Sequence, residues 1–274
     1  MPLKRDRLLK MHHMKTQRGF SLLELMVGLA VGFVVITAVG VFYSNQSKLH
    51  EDHQIKVRMK QDGRAALAIM ANEMMIAGFS PDSSVSANIT KAGLDDFEFE
   101  FIDGTSQRSI RYTHTQDADG EWVIGRGGDV FLASVEALRF LYAFDLDDLG
   151  ARNGSYGVLE KANGGTVWAY DSNYDGLLDR YYSVNPRTGD LIFRGSLPST
   201  VKLDRIRAAK AWIVLKSDKK KNNDNTATPT LGPVPDLLDS NDPSSSGVFD
   251  TDALNSEYEY RLYTATVKLR NMYY

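Results

Sequence analysis

A short run of oxygen-bearing side chains, DSNYDGLLD at residues 171–179, is the strongest candidate for chemistry in this sequence. Acids and an amide alternate along the run, a glycine marks a bend, and an acid closes it, which is a pattern that suits Ca²⁺. The residues that would hold the ion are Asp171, Asn173, Asp175, Asp179 and, through its carbonyl oxygen, Leu177. The EF-hand pattern is broken, because its twelfth position is Tyr182 rather than glutamate. Since Asn, Asp and Gly are also ordinary turn residues, a polar hairpin turn remains the alternative.

Other arrangements that support catalysis are missing from the sequence. There are no cysteines, which excludes disulfides, thiolate metal sites and cysteine nucleophiles. The formal net charge of −3 gives no sign of direct nucleic-acid binding. HEDH at 50–53 is not the H-E-x-x-H zinc pattern, and GRGGD at 125–129 has no following lysine for a phosphate loop. With no nucleophile elbow and no acid–base pair, we expect a protein that is not an enzyme.

A carboxylate inside an apolar run also requires a chemical explanation. From Phe20 to Phe42 the only charged residue is Glu24. As a helix this segment would rise about 35 Å, which is enough to cross the core of a bilayer. A charge at that depth is costly and marks a functional site with a partner. Residues 1–19 are basic, so we expect them to stay in the cytoplasm while the chain after Phe42 is exported.

Three interpretations of this N-terminal segment compete. A secretory signal has a shorter apolar part that ends at a small-residue cleavage site, and neither feature is present here. A plain single-span anchor fits the length but leaves Glu24 without a role. The third interpretation is cleavage before the apolar run, between Gly19 and Phe20.

The stretch RGFSLLELMVGLAVG, residues 18–32, resembles the N-terminus of a type IV prepilin. In that family a prepilin peptidase cuts after the glycine, and the new N-terminal phenylalanine is N-methylated. The resemblance implies that Gly19 and Phe20 are the processing residues and that Glu24 is the fifth residue of the mature chain. We expect Glu24 to pair with the Phe20 amine of a neighbouring subunit, because an α-amino group is mostly cationic near neutral pH. The start of the leader stays open between Met1, Met11 and Met14.

The domain organisation follows from this motif and from the pattern after it. The predicted segments are a basic leader at 1–19, a transmembrane or filament-core half of a helix at 20–43, an amphipathic half at 44–79 and a β-rich head at 80–274. Apolar residues spaced by three and four predict one helix from Phe20 to about Ala77, with Gly78 and Pro81 as stop signals. Gly63 is expected to weaken that helix.

Runs of β-forming residues predict the head. The predicted strands are 97–102, 109–115, 121–125, 129–144, 166–171, 180–184, 191–195, 206–218 and 258–271. No strand–helix alternation occurs, so a parallel doubly wound sheet is not expected. We predict an α+β fold in which the long N-terminal helix packs on an antiparallel sheet, the architecture of type IV pilins. Residues 217–256 are rich in Ser, Asn, Asp and Pro and predict a long exposed loop, either a contact surface or a tolerated insertion.

The helix around 59–79 and the last two strands are similar to those of PilW-like minor pilins. That resemblance implies a subunit that primes pilus assembly at the tip. Its partners would be the prepilin peptidase/N-methyltransferase, other minor and major pilins and the inner membrane. Its head would lie in the periplasm of a bacterium and later at the cell surface. A J-type minor pseudopilin of type II secretion and a membrane-anchored periplasmic binding module remain the alternatives.

Overall fold

The computed structural model describes a long helix followed by two antiparallel sheets. The described residues are 19–82, 87–144, 167–185, 187–221, 231–232, 234–235, 250, 254–269 and 271. Residues 1–18 of the predicted leader at 1–19 and most of the predicted loop at 217–256 lie outside them. The chain divides into two compact units, residues 1–50 and residues 51–274.

Helix α1, Leu22–Met74, supplies all of the described regular structure in the first unit. Its N-terminal part contains an 18-residue window with a mean hydropathy of 2.6, none of which is buried. Large apolar side chains there face outward, for example Phe33 at 70% exposure and Ile36 at 72%. By length and composition this part of α1 is apolar enough to cross a membrane.

The described residues of the second unit form the rest of α1 and eleven strands arranged in two sheets. The strands are β1 Ile89–Ala92, β2 Asp96–Asp103, β3 Ser106–Gln116, β4 Trp122–Arg126, β5 Asp129–Leu132, β6 Val135–Phe144, β7 Val167–Tyr170, β8 Leu177–Val184, β9 Leu191–Lys202, β10 Ile206–Lys216 and β11 Tyr260–Lys268. The small sheet has the order β1-β2-β3-β4-β5, and the large sheet has the order β11-β10-β6-β7-β8-β9. All pairings between these strands are antiparallel, and a short 3-10 helix, Leu203–Arg205, joins β9 to β10.

The core of the second unit lies between the two sheets and beneath α1. Phe97 of the small sheet packs its ring 5.4 Å from that of Phe140 and 5.2 Å from that of Tyr142, both on β6. All three aromatic side chains are fully buried. Since β6 is buried along nearly its whole length on both faces, its sequence lacks the alternation of a half-exposed strand.

Within the second unit, the C-terminal part of α1 packs against the core through one apolar face. Its buried residues are Met59, Gly63, Ala66, Leu67, Met70 and Met74. Their spacing of three and four is that of an amphipathic helix. The predicted α+β class, with a long N-terminal helix followed by antiparallel strands, is confirmed.

The details of the head differ from the sequence prediction in four places. The head contains two sheets rather than one, and β1 was not predicted. The run predicted as one strand at 129–144 is two strands, because Ser134 adopts a φ of 56° between them. Within the predicted exposed loop, Val234 and Leu254 are 1% and 8% exposed. These two apolar residues join the core, so the described parts of that segment are not all exposed.

Candidate functional site

The first candidate site is the start of α1, where the sequence places the processing and assembly residues. The backbone N–H of Glu24 donates to Ser21 Oγ at 3.1 Å, and the backbone N–H of Ser21 donates to Glu24 Oε2 at 3.0 Å. This reciprocal pair is a capping box, in which an N-cap serine and a glutamate three residues later satisfy two N–H groups. The first helical bond, from Leu25 N–H to the Ser21 carbonyl at 3.1 Å, fixes Ser21 as the N-cap.

The capping box explains part of the unusual placement of Glu24. Its carboxylate lies at the positive end of the helix dipole, where a negative charge is stabilised. Only Oε2 is used by Ser21, and among the described residues Oε1 has no partner. Gly19 and Phe20 precede the helix outside regular secondary structure, and Phe20 is 89% exposed. The geometry therefore holds one carboxylate oxygen in place next to the predicted cleavage point, and the other oxygen has no partner among the described residues.

Ser21 is the residue that the sequence prediction missed at this end. The signal was present, because the order serine, two residues, glutamate before an apolar run is the sequence form of a capping box. Besides its predicted role in assembly, Glu24 therefore has a local role at the start of the helix.

The second candidate site is the turn from β7 to β8, which contains the predicted calcium ligands. Asp171 is 1% exposed, and its carboxylate accepts N–H groups from Asn173, Asp175 and Gly176 at 3.3, 3.3 and 2.9 Å. Burial raises the pKa of Asp171 above its ordinary value, while the bonds from these N–H groups act in the opposite direction. A carboxylate that accepts several backbone N–H groups is typical of an Asx turn.

The other predicted calcium ligands are also engaged within the turn. Asp179 accepts the backbone N–H and the hydroxyl of Ser172 at 2.8 and 2.6 Å. Asp175 accepts the Asn173 side-chain amide at 2.9 Å and the Leu177 N–H at 3.0 Å. Among the described residues there is no group of three or more His, Cys, Asp or Glu side chains placed to hold a metal. The geometry favours the turn interpretation, and calcium binding stays a prediction.

The tip of this turn connects the two sheets. Tyr174 adopts a φ of 59° and donates its hydroxyl to Asp95 Oδ1 at 2.9 Å. Its ring lies against Gly93, where a Cβ atom would collide with the ring. The Asp171 N–H donates to the Ala92 carbonyl at 2.9 Å beside this contact. The turn therefore has a visible structural role, which is to link the large sheet to the loop between β1 and β2.

A charged cluster fixes the last turn of α1 to the small sheet. Glu73 accepts two hydrogen bonds from the Arg126 guanidinium, one from Nε at 2.9 Å, and a third from the Tyr112 hydroxyl. Glu73 raises the pKa of Arg126, and burial raises that of Tyr112. Glu73 belongs to no recognisable sequence motif, and the structure shows that this acid joins the helix to the small sheet.

The N-terminal segment is similar in sequence to a known family. Residues 14–40 match a family described as the prokaryotic N-terminal methylation motif. No curated protein matches the sequence. Among solved structures, a type IV-like pilin from Thermus thermophilus is similar at 13% identity, over 79% of this chain and 100% of that one, with a TM-score of 0.37. The matched residues include Gly19, Phe20 and Glu24, so this chain carries the N-terminal methylation motif of type IV prepilins.

Proposed function

We propose that this protein is a minor type IV pilin of the PilW-like kind, a structural subunit that primes pilus assembly and stands at the pilus tip. The observation that carries the proposal is the methylation motif at 14–40, which includes the start of α1 and most of its apolar, exposed stretch. In water such a surface is unfavourable, whereas lipid or neighbouring apolar helices would cover it. The same helix could thus serve first as a membrane anchor and then as a filament core.

Processing would occur between Gly19 and Phe20. A prepilin peptidase and N-methyltransferase would remove the basic leader and methylate the Phe20 amine. The basic residues of the leader favour a cytoplasmic N-terminus, which would place the head in the periplasm before assembly. The site residues are Gly19 and Phe20 for processing and Glu24 for assembly.

The capping box supports a specific role for Glu24. With Oε2 held by the Ser21 N–H, Oε1 can accept a hydrogen bond from the methylated amine of a neighbouring subunit. A pair of this kind in apolar surroundings specifies register more than it adds stability. Growth of the filament would then be guided by one charged contact per added subunit.

The size of the head supports a minor rather than a repeating subunit. Most of the sequence that follows Phe20 belongs to the second unit, residues 51–274. The described residues of this head already form eleven strands, which is large for a subunit that must repeat closely along a shaft.

Removal of the gene from the native cell tests this function. We expect few or no pili, restoration by the wild-type gene, and a low ratio of this protein to the major pilin in sheared pili. Normal piliation with a loss of protein secretion would instead identify a type II secretion pseudopilin. Normal piliation and normal secretion would leave the membrane-anchored binding module.

A further inference from the structure

A basic groove lies beside the edge strand of the large sheet and is not used by the proposed processing site. It has a volume of about 570 Å³ and lies between α1 and β11. We define the basic groove by its charged lining, Lys60 and Arg64 on α1 and Arg261 on β11. Leu231, Leu262 and Tyr263 supply an apolar wall.

Two of these cations lie on the same face of α1. Lys60 and Arg64 are four residues apart, so their side chains lie on the same face of α1. Both are exposed, and among the described residues neither forms an ion pair or a hydrogen bond. The Tyr263 hydroxyl donates to the Met59 carbonyl at 2.9 Å, which holds β11 against this part of α1. The cations of the two elements therefore stay close together.

The single carboxylate in the lining does not neutralise the basic groove. Glu259 contacts Lys56 at 3.9 Å and Arg261 at 3.4 Å, so it is shared between two cations. Among the described residues, the one ion pair of Arg261 is the 3.4 Å contact of its Nη2 with Glu259 Oε1, and its buried Nε–H has no acceptor. A guanidinium presents a planar set of donors that matches a carboxylate, and this one is weakly held.

We propose that the basic groove binds an acidic peptide segment of a neighbouring subunit. Carboxylates would lie between Lys60, Arg64 and Arg261, and an apolar side chain of the same segment would contact Leu262 and Tyr263. A lipid headgroup carries the same negative charge as an acidic side chain, and the test below distinguishes the two. The identity of the partner as a pilus subunit rests on the proposed function, whereas the chemistry of the groove does not.

Binding of a labelled pentaglutamate peptide to the full chain in detergent micelles tests this inference. The variant Lys60→Gln/Arg64→Gln removes two exposed groove cations without touching the core. A matched control, Lys202→Gln/Arg108→Gln, removes two exposed cations from other strands and gives the same net charge. We expect the groove variant to weaken peptide binding by about 3- to 10-fold relative to the control. Binding by the wild type should also weaken as salt is added.

Three outcomes would overturn the inference. The first is no binding of the peptide at low salt, and the second is equal loss in the groove variant and its control, which would indicate only an effect of net charge. The third is binding of the lipid headgroup glycerophosphoglycerol, but not of the peptide, through Lys60 and Arg64. None of these outcomes affects processing at Gly19, so the basic groove and the proposed function can fail separately. In the native cell the groove variant should still be cleaved and should enter pili less often.

Discussion

The ring of Tyr263 lies directly on Gly63, and a Cβ atom at that glycine would be 2.5 Å from Tyr263 Cε2. The sequence predicted that Gly63 would weaken α1, and in the structure the helix continues through it. The missing side chain is what allows β11 to approach the helix so closely. A local loss of helix propensity is thus offset by a tertiary contact.

This contact predicts that the effect of Gly63→Ala on the free energy of unfolding changes sign when Tyr263 is removed. Gly63→Ala alone gains about 1 kcal/mol of helix propensity, but overpacking against the ring costs about 1–3 kcal/mol. We expect the single variant to have a lower free energy of unfolding than the wild type. In a Tyr263→Ala background the same change should be stabilising. Denaturant unfolding of the full chain in micelles measures both, and a stabilising effect in both backgrounds would refute the close contact.

The capping box predicts that the two roles of Glu24 can be separated. Glu24→Gln keeps a side chain that can accept the Ser21 N–H but removes the charge. Ser21→Ala keeps the charge but removes the serine side of the box, at a cost of about 1 kcal/mol to the helix start. We expect Glu24→Gln to reduce incorporation into pili strongly and Ser21→Ala to reduce it only slightly.

Sheared pili, probed with an antibody to the head at equal expression, measure that difference. Glu24→Ala serves as the control that removes both roles. Equal incorporation of Glu24→Gln and the wild type would show that the charge of Glu24 does not guide assembly. A loss as large for Ser21→Ala as for Glu24→Gln would assign the main role to the cap.

The raised pKa of Asp171 predicts the pH dependence of stability. Because burial raises this pKa in the folded state, the folded chain binds the proton more tightly than the unfolded chain does. The resulting stabilisation is fully present below the unfolded pKa of about 3.9 and is lost as pH rises through the folded pKa. The Asp171→Asn variant has no carboxyl proton at this position. Its free energy of unfolding relative to the wild type should therefore rise with pH between the unfolded and the folded pKa of Asp171.

Unfolding of the full chain at several pH values from about 3 to 6 measures this trend. Asp175→Asn is the matched control, since it removes a carboxylate from an exposed position of the same turn. A flat difference between Asp171→Asn and the wild type, or a difference that falls with pH, would contradict the assignment.

The turn geometry also predicts the result of a calcium titration. The carboxylates of Asp171, Asp175 and Asp179 are already used by N–H and O–H donors. The turn interpretation, in which these donors rather than an ion satisfy the carboxylates, predicts no rise in melting temperature at millimolar Ca²⁺. A rise that Asp175→Ala abolishes would instead establish the calcium site predicted from the sequence.

The elements that could be predicted from sequence are those with a strong local signal. The helix followed from its apolar spacing, and most strands followed from runs of β-forming residues. The short strand β1 was missed because its four residues, Ile89–Ala92, include two polar ones and are held by pairing with β2. The division into two sheets depends on pairing between distant segments, which no local pattern encodes.

The candidate sites also differ in whether a local sequence pattern could reveal them. Gly19, Phe20 and Glu24 form a contiguous motif, so sequence alone could identify them. Contacts such as Glu73 with Arg126, or Tyr174 with Asp95, join residues far apart in the chain and give no signal in either segment. The basic groove also depends on residues far apart in the chain, because Arg261 lies near Lys60 and Arg64 only after the head has folded.

The most direct test of the central claim is intact mass and N-terminal sequencing of the protein from its native membrane. The proposed function predicts a chain that begins at Phe20 and carries one added methyl group on its α-amine. An uncut chain, or a chain cut after the apolar run near Phe42, would contradict it and would favour an anchored or exported binding domain.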